Sequence, residues 1–133
     1  MKGVDTNILV RYLTQDDPVV SPLVSRELKA SCSKEEPCLI NAVVLCELVW
    51  VLETSYGYPR LLIADTLEKI LETNSFRVQQ ANEAWNALEA YRTGGADFAD
   101  AYIAVCNHAL GCEETLTLDR KAGRLKNMRL VTS

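Results

Sequence analysis

Apolar and polar positions alternate or recur in short blocks along the whole chain, and the blocks change period in a regular way. Residues 1–4 are apolar at alternate positions and predict a first strand that ends at Asp5. Thr6 and Asn7 suit a helix start, with Ile8, Leu9, Val10 and Leu13 supplying its buried face. Asp16-Asp17-Pro18 predicts a turn, and residues 22–31 a helix with Leu23, Val24 and Leu28 near helical spacing. A polar stretch at 34–37 separates this from Cys38-Leu39-Ile40, a compact apolar run that reads as a second strand. Asn41 then caps a helix that is apolar nearly all round, which predicts burial on more than one side. It stops near Tyr56-Gly57-Tyr58-Pro59.

The second half repeats the alternation. Residues 60–73 form an amphipathic pattern carried by Leu62, Ile63, Leu67, Ile70 and Leu71, and residues 76–78 a short strand. Residues 82–92 predict a helix that turns Ala84, Trp85, Leu88 and Tyr91 toward the core. After the break at Thr93-Gly94-Gly95, a mostly apolar helix runs from about Asp97 to Leu110 and stops at Gly111. Residues 115–118 predict a strand ending at Asp119, followed by a short basic helix to about Leu125 and a last strand at 129–131. Strands alternating with helices imply an α/β fold with a mainly parallel sheet and right-handed crossovers. No internal repeat, low-complexity segment or linker interrupts the pattern, so residues 1–133 are expected to form a single domain.

Composition changes this picture little. A chain of 133 residues that is 48% hydrophobic and 24% charged suits a soluble globular domain, burying about 68% of the surface of its unfolded form. No apolar run approaches the ~20 residues of a bilayer span, so no membrane association is expected. The start lacks a basic segment followed by a long apolar one, which implies a cytoplasmic location. The five cysteines, at 32, 38, 46, 106 and 112, form no Cys-x-x-Cys pair, and free thiols are the expectation. A single histidine, His108, speaks against zinc. The net charge of −4 argues against general affinity for nucleic acid. One run departs from that balance: Arg120, Lys121, Arg124, Lys126 and Arg129 fall within ten residues that hold no acid. It is either a solvated helix face or a local phosphate-contacting patch.

Four acids are set in apolar frames. Asp5 and Asp119 each follow a predicted strand, and Glu47 and Asp100 each sit in the first turns of a predicted helix. In open parallel sheets, ligands bind beyond the carboxyl ends of the strands, so all four can converge there. Taken singly, Asp5, Asp97 and Asp119 also suit helix caps, and Asp97 is the natural N-cap of its helix with Asp100 as a capping-box-like partner. Glu47 resists that explanation, since a solvated glutamate is out of place between Cys46 and Leu48. Four carboxylates brought together repel one another and raise their proton affinities. A hard divalent cation, Mg²⁺ or Mn²⁺, relieves that repulsion using oxygen ligands alone. Such an ion activates water and offsets the charge of a phosphodiester.

The motifs carrying these acids resemble those of the PIN-domain ribonucleases, most closely the VapC-type toxins of toxin–antitoxin pairs. Val4-Asp5-Thr6-Asn7-Ile8-Leu9-Val10 looks like the first motif, and Asn41-Ala42-Val43-Val44-Leu45-Cys46-Glu47-Leu48 like the second. Asp97-Phe98-Ala99-Asp100-Ala101-Tyr102-Ile103-Ala104 looks like the third, and Thr117-Leu118-Asp119 like the fourth. The resemblance implies a three-layer α/β/α sandwich around a parallel sheet and Mg²⁺- or Mn²⁺-dependent cleavage of RNA. It carries over Asp5, Glu47, Asp100 and Asp119 as catalytic and metal-holding acids, with Asp97, Thr6 and Asn7 as accessory groups. It also implies a homodimer and a cognate VapB-like antitoxin. Arg120, Lys121 and Arg124 are the candidates for holding the RNA backbone. Two other readings stand beside this one. A non-catalytic PIN-like module would bind RNA or protein without turnover. A Mg²⁺-dependent phosphoryl-transfer or receiver-like domain would need a phosphoacceptor aspartate with a lysine after a later strand, whereas here the late strand ends in the acid itself.

Overall fold

The computed structural model describes residues 1–132. The chain divides into two compact units, Met1–Gln79 and the remainder from Gln80 onward. Both are built of helices and parallel strand pairs, the α/β class that the patterning implied.

The first unit holds α1 (Thr6–Thr14), α2 (Val20–Ser31), β1 (Cys38–Ile40), α3 (Ala42–Thr54), α4 (Arg60–Glu72) and β2 (Phe76–Val78). β1 and β2 pair in parallel, with Cys38 opposite Phe76 and Ile40 opposite Val78. Successive residues of a strand point their backbone groups to opposite edges. Cys38 and Ile40 therefore bond to the β2 side, through Ser75 O and Gln79 N–H, while Leu39 bonds to Lys2 O and Val4 N–H on the other. The expected first strand shrinks to this contact, a single parallel bridge between Gly3 and Leu39. The ladder goes no further because Asp5 already caps α1.

Helix α3 is less enclosed than its composition suggested. Its buried stripe is Val44, Leu45, Leu48, Val49 and Leu52, while Val43, Glu47 and Trp50 lie on an exposed face. Those three are spaced i, i+4, i+7, one side of a helix, so the solvated glutamate that seemed out of place is accommodated. Leu23 and Leu62 are likewise exposed rather than buried. The disordered register of apolar residues around them offers two possible stripes, and packing selects Val24 and Leu28 in α2 and Ile63 and Leu67 in α4.

Two of the five cysteines depart from the free-thiol expectation. Cys32, at the C-terminal cap of α2, and Cys38, the first residue of β1, form a disulfide across a Cα–Cα separation of 5.2 Å. Both face one apolar cluster with Val24 and Leu28, against which Val4, Ile8 and Phe76 pack. Cys46, Cys106 and Cys112 form no disulfide among the described residues.

The C-terminal end of α1 is tied down by charge. The Tyr56 hydroxyl donates to Asp16 Oδ2 at 2.6 Å, the Thr14 hydroxyl to Asp16 Oδ1 at 2.8 Å, and Arg11 Nη1 to both oxygens at 3.0 and 3.1 Å. These bonds, that from Tyr56 foremost, pull the Asp16 carboxyl down to about 2.

The second unit holds α5 (Ala81–Thr93), α6 (Phe98–Ala109), β3 (Thr115–Thr117), a single 3-10 turn (Ala122–Arg124) and β4 (Met128–Leu130). β3 and β4 are parallel, Thr115 opposite Met128 and Thr117 opposite Leu130. The expected basic helix is only the 3-10 turn, too short a link between β3 and β4 to hold more, and the last strand begins one residue earlier than its pattern suggested. In α5 the buried positions are Ala84, Ala87, Leu88 and Tyr91. That i, i+3, i+4, i+7 stripe leaves Trp85 outside it, 37% exposed rather than turned to the core. Tyr91 of α5 meets Phe98 of α6 edge to face at 5.8 Å, and Phe98 meets Tyr102 in the same way at 5.5 Å. All three rings are buried. Gly111, at φ +102°, supplies the left-handed turn that ends α6.

Candidate metal centre

In the first unit the site acids are placed by the two segments that lie side by side in parallel. The residue 2–4 segment and β1 run in the same direction and each gives way at once to a helix. α1 and α3 therefore start at one edge. Asp5 is the N-cap of α1, and its Oδ1 accepts the Thr6 N–H at 2.8 Å. Asn41 caps α3 by accepting the Val44 N–H at 2.9 Å, which sets Glu47 in the second turn. The Thr6 hydroxyl donates to Glu47 Oε1 at 2.9 Å. Thr6 is one of two buried polar residues among those described, at 7% exposure. A buried hydroxyl needs a partner, and here the partner is an acid 41 residues away. Asn7 is exposed, and no hydrogen bond ties its side chain to either acid.

In the second unit the buried rings of Tyr91, Phe98 and Tyr102 fix the start of α6, where Asp97 holds the N-cap position and Asp100 the first turn. The Asp97 side chain makes no capping hydrogen bond, contrary to the capping role its position suggested. Asp119 does bond to the backbone ahead of it: its Oδ1 accepts the N–H of Ala122, the first residue of the 3-10 turn, at 2.9 Å. It follows β3 and is held there by its own N–H, which donates to Thr117 Oγ1 at 3.0 Å. Asp100 responds to its surroundings. Partial burial, then the charges of Asp97 and Asp119, raise the Asp100 carboxyl above the usual carboxylate range. This is the signature of like charges crowded into a site with reduced hydration.

Asn107 had no part in the sequence reading. Its Nδ2 donates to Thr115 Oγ1 at 3.0 Å and ties α6, which carries Asp100, to β3, which leads to Asp119. The one available signal was an amide in the middle of an otherwise apolar helical run.

The two units thus present Asp5, Thr6 and Glu47 in one and Asp97, Asp100 and Asp119 in the other. Among the described residues, no group of three or more His, Cys, Asp and Glu side chains is already drawn together in the manner of a metal cluster. The chemistry of the donors still suits a hard divalent cation: the four principal candidates are carboxylates, and a cation would offset both the burial and the neighbouring charges that raise Asp100. A cavity of about 540 Å³ in the second unit, lined by Asn86, Glu89, His108 and Lys126 among others, takes in none of these acids. Of the predicted RNA-holding cations, Lys121 and Arg124 line a separate cleft of about 230 Å³, and Arg120 lines neither. No helix among the described residues is long and apolar enough to cross a membrane.

The family model described as "PIN domain" matches residues 3–128. The VapC ribonuclease of Aquifex aeolicus (strain VF5) is 26% identical over 125 residues, which cover 94% of this chain and 92% of that protein. No solved structure matches the chain significantly.

Proposed function

Since the chain belongs to the PIN-domain family, we propose that it is an endoribonuclease that hydrolyses RNA phosphodiester bonds with Mg²⁺ or Mn²⁺. The observation that carries this reading is the placement of Asp100 in a partly buried first turn of α6 near Asp97 and Asp119, where burial first and then their charges raise its carboxyl. Asp5, Glu47, Asp100 and Asp119 would hold the ion. When bound, it would supply an activated water and neutralise charge on the phosphoryl group.

The chain's own groups keep those oxygens in place. Thr6 donates its hydroxyl to Glu47 and so fixes one carboxylate oxygen, leaving the other to a ligand. Asp119 gives Oδ1 to the Ala122 N–H, which sets the orientation of its second oxygen. Asp97 adds negative charge beside Asp100 without being consumed by a cap. Asn7, exposed beside Asp5, is available as a further neutral oxygen.

We assign residues 1–133 to a single PIN-like domain made of the two compact units. The likeness to a protein named VapC ribonuclease supports a toxin that acts on RNA in the cytoplasm, assembles as a homodimer and is held in check by a VapB-like antitoxin.

The test is cleavage of a panel of structured RNAs with Mg²⁺, with EDTA, and by the Asp5→Asn variant. Chelation should abolish cleavage. Asp5→Asn should lower it at least ~100-fold, the upper end for losing a group that merely supports a metal ligand. Cleavage that survives both changes would overturn the metal centre. RNA binding with no turnover under any condition would identify a non-catalytic module instead.

A further inference from the structure

The five cations between residues 120 and 129 look equivalent in the sequence, but the fold separates them. Arg129 is spent on Glu114, Nε to Oε1 at 2.7 Å. Lys126 lines the 540 Å³ cavity, which an acid, Glu89, also lines. Arg120 lines neither cavity. Only Lys121 and Arg124 face the 230 Å³ cleft, whose other walls are Leu125 and the loop Gly94-Gly95-Ala96. No acid lines that cleft, and among the described residues neither cation has an ion-pair partner. Two unpaired cations around a concavity without carboxylates form a receptor for an anion.

The opposite wall suits a polymer backbone. Gly94 and Gly95 carry no side chains, so a ligand can approach the main chain closely. The volume equals about eight liquid waters at ~30 Å³ each, room for one phosphate with part of its ribose. Both walls lead directly to site acids: Ala96 precedes Asp97, and Lys121 lies two residues beyond Asp119.

We propose that Lys121, Arg124 and the Gly94–Ala96 loop form a seat for an internal phosphodiester of single-stranded RNA, next along the strand to the phosphate presented to the acids. That last clause rests on the nuclease reading; the seat itself is a binding site and is tested without turnover. Lys121 and Arg124 hold the phosphate by charge, and the glycine loop admits the strand.

The experiment measures binding of a fluorescein-labelled single-stranded oligoribonucleotide to the full chain in EDTA, by anisotropy, between 50 and 200 mM KCl. Lys121→Ala and Arg124→Ala should each weaken binding several-fold and reduce the slope of log K against log salt by ~0.7, the value for one phosphate contact on a single strand. Lys121→Arg should restore both. Arg129→Ala, which removes a cation already paired, should change them less. Gly95→Glu should also weaken binding, because a Cβ at Gly95 meets nothing within 4 Å and the added carboxylate projects without disturbing the fold. If Arg124→Ala does not fold by circular dichroism, Lys121→Gln and Gly95→Glu carry the test.

The seat is overturned if Lys121→Ala and Arg124→Ala have no more effect than Arg129→Ala, or if the unaltered chain does not bind the oligonucleotide. Binding that requires a 5′-phosphate on the oligonucleotide overturns an internal seat in favour of a terminal one. The expected binding pattern without Mg²⁺-dependent cleavage leaves the seat standing and removes the nuclease. Cleavage with indifferent cleft variants does the reverse.

Discussion

Thr6 shows how one side chain can join two parts of a chain that have no sequence relation. Its hydroxyl is buried and its single evident duty is the 2.9 Å bond to Glu47. Thr6→Val keeps the shape and removes the donor. Glu47 is exposed and can turn to water, so the expected loss of stability is only about 1 kcal/mol. The loss of activity should be larger, ~10–100-fold, as for other groups that orient a metal ligand. Thr6→Ser should retain both. Urea unfolding and RNA cleavage rates measure the two effects, and a Val variant as active as the Ser variant would remove Thr6 from the site. Asp16 supports a second prediction at this scale. Its folded carboxyl titrates at about 2, below the ordinary value of 3.8. A depressed carboxylate adds stability that is present above the unfolded pKa and disappears as pH falls through the folded one. The chain should therefore lose this contribution between about pH 4 and pH 2. Tyr56→Phe removes the largest cause of the shift. It should raise the Asp16 pKa in a carbon-13 NMR titration and move acid unfolding to higher pH. An unchanged Asp16 titration would show that the network does not hold in solution.

Elements were legible where a local signal set their start. Asn41 caps α3, Gly111 ends α6, and Asp5 opens α1, all of which follow from side chains competing for unpaired backbone groups at helix ends. Failures came where tertiary contact decides. The segment before Asp5 has strand patterning, but it forms only a single bridge, Gly3 to Leu39, through the bonds of Lys2 and Val4. Asp97 has the right residue type and position for a cap, yet its carboxylate stays out of the cap. The Cys32–Cys38 pair was hidden for the same reason: its spacing matches no motif, and only the packing of α2 against β1 brings the two together. That bridge closes a short ring, for which chain entropy gives about 2 kcal/mol. Dithiothreitol should lower the urea midpoint accordingly, and Cys32→Ser should show the same midpoint with or without reductant. Equal midpoints for the unaltered chain in both buffers would mean the bond contributes nothing.

At the scale of the molecule, the α/β class could be read from the sequence, and the candidate acids stood out there because Asp5, Asp97 and Asp119 flank elements, Asp100 opens a helix and Glu47 interrupts an apolar one. What lies between those acids could not. Which cation in the 120–129 run faces a cleft depends on where the 3-10 turn places it, and charge counting treats all five alike. The bond from Thr6 to Glu47 and the one from Asn107 to Thr115 depend on neighbours that no periodicity specifies. The sequence also ran on without a break at Gln79, where the contacts divide the chain.

That division sets an order of events during synthesis. A ribosome delivers the chain from the amino end, at roughly 5–20 residues per second, and compact parts form as they emerge. The first unit brings Asp5 and Glu47; Asp97, Asp100 and Asp119 belong to the second and arrive afterwards. An enzyme that destroys RNA is dangerous to the message and ribosome that are making it. On the proposed reading, a chain stopped before Asp97 carries Asp5 and Glu47 without the other three acids and is expected to leave RNA uncut.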